Sequence, residues 1–140
     1  MHEKITKIKD SDFDRAVLFP KKPAVVFLTA EWSEASRTAY PLFEATAEKY
    51  RAAAAVYEMN VDENSIIPTA YGVRRIPTVL TFADGRLIES FFGKITAESL
   101  AEKIEKVAPA GAVYKTVAAF SKKLAARARG RVSGLLSELF

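Results

Sequence analysis

The stretch PAVVFLTAEWSEASRTAYP, residues 23–41, decides the fold. Its first eight residues are a continuous apolar run rich in β-branched side chains. Such a run predicts a strand buried on both faces, as in a mostly parallel sheet covered by helices. From Ser33 to Tyr50 apolar residues return at helical spacing, so the strand leads directly into a helix. Ser33 is a residue type that caps helix N-termini.

The rest of the chain continues this alternation. The sequence predicts a short edge strand around Ile5 to Ile8 and a brief helix through Leu18, capped by Ser11 or Asp12. A second buried strand is expected over 54–62 and a short helix over 65–71.

The second half of the chain has a different pattern. Residues 78–93 alternate around Ala83-Asp84-Gly85, which predicts a β-hairpin, and Thr96 is placed to cap a helix ending near Val107. A βα half followed by a hairpin and a helix predicts an α/β domain over residues 1–109, with a central mixed β-sheet flanked by helices on both faces.

Composition excludes several kinds of chemistry. The 140 residues suffice for one domain and include no cysteine, so disulfides, thiolate metal sites and cysteine nucleophiles are excluded. The single histidine, His2, leaves little for imidazole catalysis, and we expect neither a metal nor a cofactor. The polar N-terminus and the absence of a long apolar run predict a cytoplasmic protein.

Residues 110–140 differ from the rest of the chain, since they carry six lysines and arginines against one glutamate. Val113, Val117, Phe120 and Leu124 fall at helical spacing, which predicts a C-terminal basic amphipathic helix. Its expected contacts are the protein's own domain, another subunit or an anionic membrane surface. Nucleic acid is disfavoured, because the segment has few aromatic side chains to stack on bases.

Several ordered signals indicate a family. They are AEWSEAS after the buried strand, Pro41 five residues beyond Ser36, NVDEN after the next strand, YGVRRIPTVLTFADGR, and Gly93 before the last helix. In this order residues 3–107 resemble the thioredoxin family, which implies a thioredoxin-like fold. The resemblance also implies a cis-proline at Pro77.

The resemblance assigns roles to particular positions. Ser33 and Ser36 stand where the family has its nucleophilic and resolving cysteines, the first of them exposed in the field of the helix dipole. The implied partners are a protein substrate with a disulfide or thiol and a reductase donor. The implied substrate-binding positions surround the two serines and form a groove for the substrate: Trp32, Glu34, Ala35, Arg75, Ile76, Pro77, Phe92 and Gly93.

The chain also departs from the family pattern. Phe27 stands where many members bury an acidic residue, and Glu58 aligns with a position that is often lysine. Arg75 replaces the usual glycine before Ile-Pro, and Glu34-Ala35 replaces the common Gly-Pro. The proton-transfer role of the buried acid is therefore absent or is performed by another group.

Three interpretations of the serine pair remain open. Ser33 and Ser36 are a helix cap with an exposed helix serine, or the trace of a natural redox-dead binding module, or an engineered Cys-to-Ser double substitution. Serine is the closest steric replacement for cysteine and occupies both sulfur positions, which favours the engineered form of a thiol-disulfide oxidoreductase. The alternative is a binding module that uses its groove or its basic C-terminal helix on a protein partner or an anionic membrane. A hydrolytic serine is disfavoured, since no base lies in the motif.

Overall fold

The computed structural model describes residues 5–108, so the predictions for the basic segment 110–140 and for His2 lie outside the described residues. A five-stranded sheet in the order β1-β3-β2-β4-β5 forms its centre. The strands are β1 (Thr6–Lys7), β2 (Ala24–Thr29), β3 (Ala55–Asn60), β4 (Thr78–Ala83) and β5 (Arg86–Phe92). The helices are α1 (Glu34–Tyr50), α2 (Ile66–Ala70) and α3 (Ala97–Val107).

The sheet is mixed, as predicted. Strand β3 pairs in parallel with β1 and β2, whereas β2 pairs antiparallel with β4 and β4 pairs antiparallel with β5. Strand β2 is therefore central and every one of its residues is buried, which explains its uninterrupted apolar sequence.

Two apolar clusters cover the two faces of the sheet, and helices on both faces are thus confirmed. On one face α1 and α3 pack against β2, where the rings of Phe27 and Phe43 stack at a centroid distance of 4.1 Å. On the other face Phe13 lies edge-on to Phe82 in a cluster that also contains Ile67 of α2.

The helix ends are mostly placed as the sequence predicts. The Thr96 hydroxyl accepts from the amide of Ser99 at 3.0 Å and begins α3. The cap predicted at Ser11 or Asp12 is wrong, because a 3₁₀ turn begins earlier, at Asp10, and continues into a π-helical turn over 14–18. Asp12 instead accepts from the amide of Lys9 at 3.0 Å.

The strand register brings two distant segments together at one end of the sheet. Leu28, near the end of β2, pairs with Thr78 at the start of β4. The loop that leads from β2 into α1 therefore lies beside Pro77, which precedes β4. Within residues 5–108 no helix is long and apolar enough to cross a bilayer.

Candidate functional site

Ser33 and Ser36 form the first turn of α1. Ser33 is the N-cap, and its hydroxyl oxygen accepts from the amide of Ser36 at 3.1 Å. The Ser36 hydroxyl oxygen accepts from the amide of Ala30 at 3.2 Å. The exposure expected at these positions is not found, since Ser33 is 6% and Ser36 2% exposed. Both side chains turn inward, where Ser33 pairs with an amide of the first turn and Ser36 pairs with the amide of Ala30, which precedes the helix.

The segment before β4 faces this turn. The Ser33 hydroxyl lies 3.4 Å from the carbonyl oxygen of Ile76, to which it donates. The peptide bond between Ile76 and Pro77 is cis, and Pro77 is buried. The structure thus brings Ser33 next to two of the predicted substrate-binding residues.

The aromatic residues of the predicted groove are exposed. Trp32 is 65% and Phe92 51% exposed, although both are large apolar side chains. The indole Nε1 of Trp32 donates to Asp62 at 2.7 Å, a contact that the sequence did not indicate. The guanidinium carbon of Arg75 lies 5.0 Å from the centroid of the Phe92 ring, so these two predicted residues are in contact.

The remaining predicted residues border one open cleft of about 490 Å³. Glu34 and Ala35 of α1 form one side of it, and Pro77 and Gly93 form another. Thr38, Ala39, Leu42 and Ile95 complete its lining. The cleft is mainly apolar, with the Glu34 carboxylate as its charged group.

A buried carboxylate lies close by. Glu58 of β3 is 4% exposed and accepts from the hydroxyls of Thr29 at 2.7 Å and Tyr40 at 2.8 Å. Burial, followed by the hydrogen bond to Glu58, raises the pKa of Tyr40 well above its ordinary value. In the sequence this network is indicated only by Glu58, a charged residue within a buried strand. The two hydroxyl donors lie on other elements, and no sequence pattern indicates that they contact Glu58.

Glu58 lies beside Phe27, the position at which the family resemblance expects a buried acid. Phe27 is its register partner on β2, and the Phe27 ring is packed against Phe43. Glu58 and Ser36 border a second cleft, which has a volume of about 500 Å³. Lys7 and Arg37 also line this second cleft. A carboxylate is therefore present beneath the first turn of α1, supplied by β3 instead of β2.

The side chains of the described site support little catalytic chemistry. Its hydroxyls at positions 33 and 36 serve as hydrogen-bond acceptors for backbone amides, and no general base contacts them in the hydrogen bonds that the structure describes. Among residues 5–108 no group of three acidic or imidazole side chains is arranged to hold a metal ion. What the site offers is a capped helix start beside an exposed apolar groove.

Known proteins are similar to this chain in fold and in sequence. The model of the Thioredoxin family matches residues 4–106. The "Thioredoxin" of Pseudomonas aeruginosa is 34% identical over 101 residues, which are 72% of this chain and 94% of the relative. "Thioredoxin M-type, chloroplastic" of Pisum sativum is 34% identical over 99 residues, and the chain spans 58% of that relative's length. The solved structure of a mutant thioredoxin from Halobacterium salinarum NRC-1 superimposes with a TM-score of 0.66 at 29% identity, covering 74% of this chain and 89% of that one.

Proposed function

The chain belongs to the thioredoxin family, and from this premise we propose that its parent form is a thiol-disulfide oxidoreductase that has been made redox-inactive here. One observation carries the proposal. Ser33 and Ser36 occupy the first turn of α1, and the Ser33 hydroxyl meets the Ile76 carbonyl beside Pro77. These are the positions at which the family resemblance expects the two cysteines.

Sulfur at the two positions would perform a two-step exchange. A thiolate at position 33 attacks one sulfur of a substrate disulfide, and the other substrate sulfur leaves as a thiolate. A thiolate at position 36 then attacks the mixed disulfide, which closes a 33–36 disulfide and releases the reduced substrate. The N-terminus of α1 favours the first thiolate through its exposed amides and its dipole. A thiol donor returns the pair to the dithiol.

Serine stops this cycle at its first step. A hydroxyl is not appreciably ionised near neutral pH and cannot form a disulfide. The hydrogen bonds of Ser33 and Ser36 are those of a stable helix start, so the replacement leaves the local fold intact. We regard an engineered double substitution as the source of the serines, with natural loss of the cysteines as the alternative.

The test is to restore both sulfurs by Ser33→Cys together with Ser36→Cys. The double variant is expected to reduce the disulfides of insulin with dithiothreitol as the donor, whereas the unmodified chain gives no rate above background. The variant with Ser33→Cys alone is the matched control, because it can form a mixed disulfide but has no resolving thiol. A double variant that folds as the unmodified chain does and still reduces no disulfide would refute the oxidoreductase proposal.

A binding module is the second candidate function, and the exposed groove favours it. Trp32 and Phe92 remain exposed in a chain that has no cysteine. A protein segment bound there would bury apolar surface without being reduced. The native gene separates the two candidates, since serine codons at positions 33 and 36 would support the module and exclude engineering.

The basic segment 110–140 supplies a separate proposal, that it binds an anionic membrane surface. Its excess of lysine and arginine is the supporting observation. The full chain is expected to sediment with phosphatidylglycerol vesicles at low salt and to be released at high salt. Equal sedimentation after residues 110–140 are removed would contradict the proposal.

A further inference from the structure

Arg75 is held at the edge of the groove by an aromatic side chain. Its guanidinium carbon lies 5.0 Å from the centroid of the Phe92 ring, and both side chains are exposed. An arginine that stacks on a ring keeps its five N–H donors free at the edges of the guanidinium plane. The stacking therefore positions a charged, hydrogen-bonding group two residues before Pro77.

This edge of the groove is positively charged. Arg74 and Lys94 are exposed as well, and they lie next to Arg75 and Gly93 in the chain. Within residues 5–108 no carboxylate forms an ion pair with Arg74, Arg75 or Lys94. Their charges are thus available to a partner.

The backbone between Arg75 and Pro77 is also available. In the described part of the chain the Ile76 amide makes no hydrogen bond, and its carbonyl accepts only the 3.4 Å contact from Ser33. An unpaired N–H and a weakly paired C=O on one residue can pair with an extended segment, as at a sheet edge. Such a segment would pass directly over the groove.

Pro77, two residues after Arg75, lines an apolar cleft. Ile76 packs with the core cluster on one face of the sheet, and Ile95, which lines the cleft, packs with the cluster on the other face. The cleft of about 490 Å³ accepts an apolar side chain. Glu34 borders that cleft, so its carboxylate repels an acidic side chain there.

From these features we infer that the groove selects an extended protein segment with an acidic side chain at the Arg75 edge and an apolar side chain in the cleft. The opposite charges of Arg75 and Glu34 set the direction of the segment, since a reversed segment would bring its acid to Glu34. The inference rests on the proposed function, because it names the class of segment that the same groove would bind.

Trp32 provides the measurement, as it is the only tryptophan of the chain and lies 65% exposed beside Ser33. Its fluorescence is titrated in the full chain with blocked nonapeptides that carry a central valine. Glutamate, glutamine or lysine is placed at each other position in turn. In one register the glutamate peptide is expected to bind about two- to fivefold more tightly than the glutamine peptide, the range for an exposed charge pair.

Charge reversal at Arg75 tests the assignment. In that register Arg75→Glu is expected to make the lysine peptide the tighter ligand. Arg86→Glu is the matched control, because Arg86 is exposed at the far end of the same strand as Phe92 and changes the net charge equally. The control is expected to keep the preference for glutamate.

Each contrary result has a distinct meaning. If the glutamine peptides bind but no register favours glutamate, the acidic selection is wrong and the groove proposal stands. If Arg86→Glu changes the preference as much as Arg75→Glu does, the effect comes from net charge and the role of Arg75 is overturned. If no peptide binds while the double cysteine variant reduces insulin, this inference is wrong and the proposed function stands. If the variant also reduces no insulin, the proposed function fails together with this inference.

Discussion

Tyr40 is the residue that ties α1 to the buried carboxylate of Glu58. Replacing it in Tyr40→Phe removes one of two donors to a carboxylate that is 4% exposed. A buried acceptor that loses a partner costs about 1–3 kcal/mol, so the free energy of unfolding in urea should fall by that amount.

Tyr57→Phe is the matched control for this change. The Tyr57 hydroxyl donates to a neutral carbonyl, that of Ala16, over a longer distance of 3.3 Å, and the side chain is only half-buried. We expect a loss of about 1 kcal/mol or less. Equal losses in the two variants would show that the bond to Glu58 adds nothing beyond an ordinary tyrosine contact.

At the residue scale, the sequence indicates which positions are important. It is less informative about the residues that they contact. Glu58 is conspicuous as a charge in a buried strand, but its donors Thr29 and Tyr40 lie 29 and 18 positions away in the chain. Trp32 is recognisable from the motif, whereas its bond to Asp62 depends on how the loop after β3 closes. Contacts between distant residues follow from the packing of elements, which the local pattern does not contain.

At the scale of elements, Ser33 and Ser65 offer a direct comparison of two N-caps. Ser33 begins α1 and its hydroxyl accepts from a backbone amide, whereas Ser65 begins α2 without a side-chain cap bond. Ser33→Ala should therefore lower the free energy of unfolding by about 0.5–2 kcal/mol, a typical cost for a lost cap. Ser65→Ala should stay within about 0.5 kcal/mol of the unmodified chain. Urea denaturation checks both, and the reverse order would contradict the cap assignment.

The N-terminus of helix α2 is capped by a residue that is distant in the chain. The Asp10 carboxylate accepts from the amides of Ile66 at 3.0 Å and Ile67 at 2.9 Å, and it lies in the turn that follows β1. Asp10→Ala is expected to cost about 1–2 kcal/mol, because it leaves two helix amides without their partner.

Glu63→Ala is the control for Asp10→Ala. Glu63 is an exposed acidic residue just before the same helix, and its removal changes the charge equally. It should change the urea midpoint little. A similar loss in both variants would mean that negative charge near α2, and not the Asp10 hydrogen bonds, stabilises the helix.

The elements themselves were predictable where the pattern is strong. The apolar run of β2, the alternating hairpin of β4 and β5, and the Thr96 cap all express local chemistry. Strand β1 is shorter than predicted, because only Thr6 and Lys7 pair with β3. The cap of α2 was missed, since Asp10 precedes the helix by 56 residues and acts only once the chain has folded.

At the scale of the whole molecule, the order of elements predicts a mixed sheet between helices. The fold places the α1 turn beside Pro77 because β2 and β4 are antiparallel neighbours, a pairing between segments about fifty residues apart. Periodicity predicts each strand but does not predict which strands pair with it. The family resemblance supplied that information for the site and revealed the unusual charges at Glu58 and Arg75. Only the structure shows that Glu58 accepts from two hydroxyls and that Arg75 stacks on Phe92.

Three tyrosines make the stability of the molecule sensitive to alkaline pH. Burial is the first cause that raises the pKa of Tyr40, Tyr50 and Tyr71. For Tyr50 the hydrogen bond to Glu105 adds to it, and the pKa reaches about 12. The tyrosines lie in α1 and at the end of α2, so they report on both faces of the sheet.

The direction of the pH effect follows from these raised values. A tyrosine in the unfolded chain ionises near pH 10, whereas the buried one stays protonated, so ionisation favours unfolding. The stabilisation is complete below pH 10 and is lost as the pH rises through the folded-state pKa, which is about 12 for Tyr50. Each such tyrosine lowers the free energy of unfolding by up to about 1.4 kcal/mol per pH unit in this range.

Tyrosinate absorbance at 295 nm, followed together with far-ultraviolet circular dichroism, measures this effect. We expect most of the absorbance to rise above pH 11 and to coincide with the loss of secondary structure, because the protected tyrosines ionise as the chain unfolds. The urea-unfolded chain should instead titrate near pH 10. Tyr50→Phe is expected to reduce the slope of stability against pH between 10 and 12, since it removes one of the ionising groups. Full ionisation near pH 10 with the circular dichroism unchanged would mean that these hydroxyls are not protected by the fold.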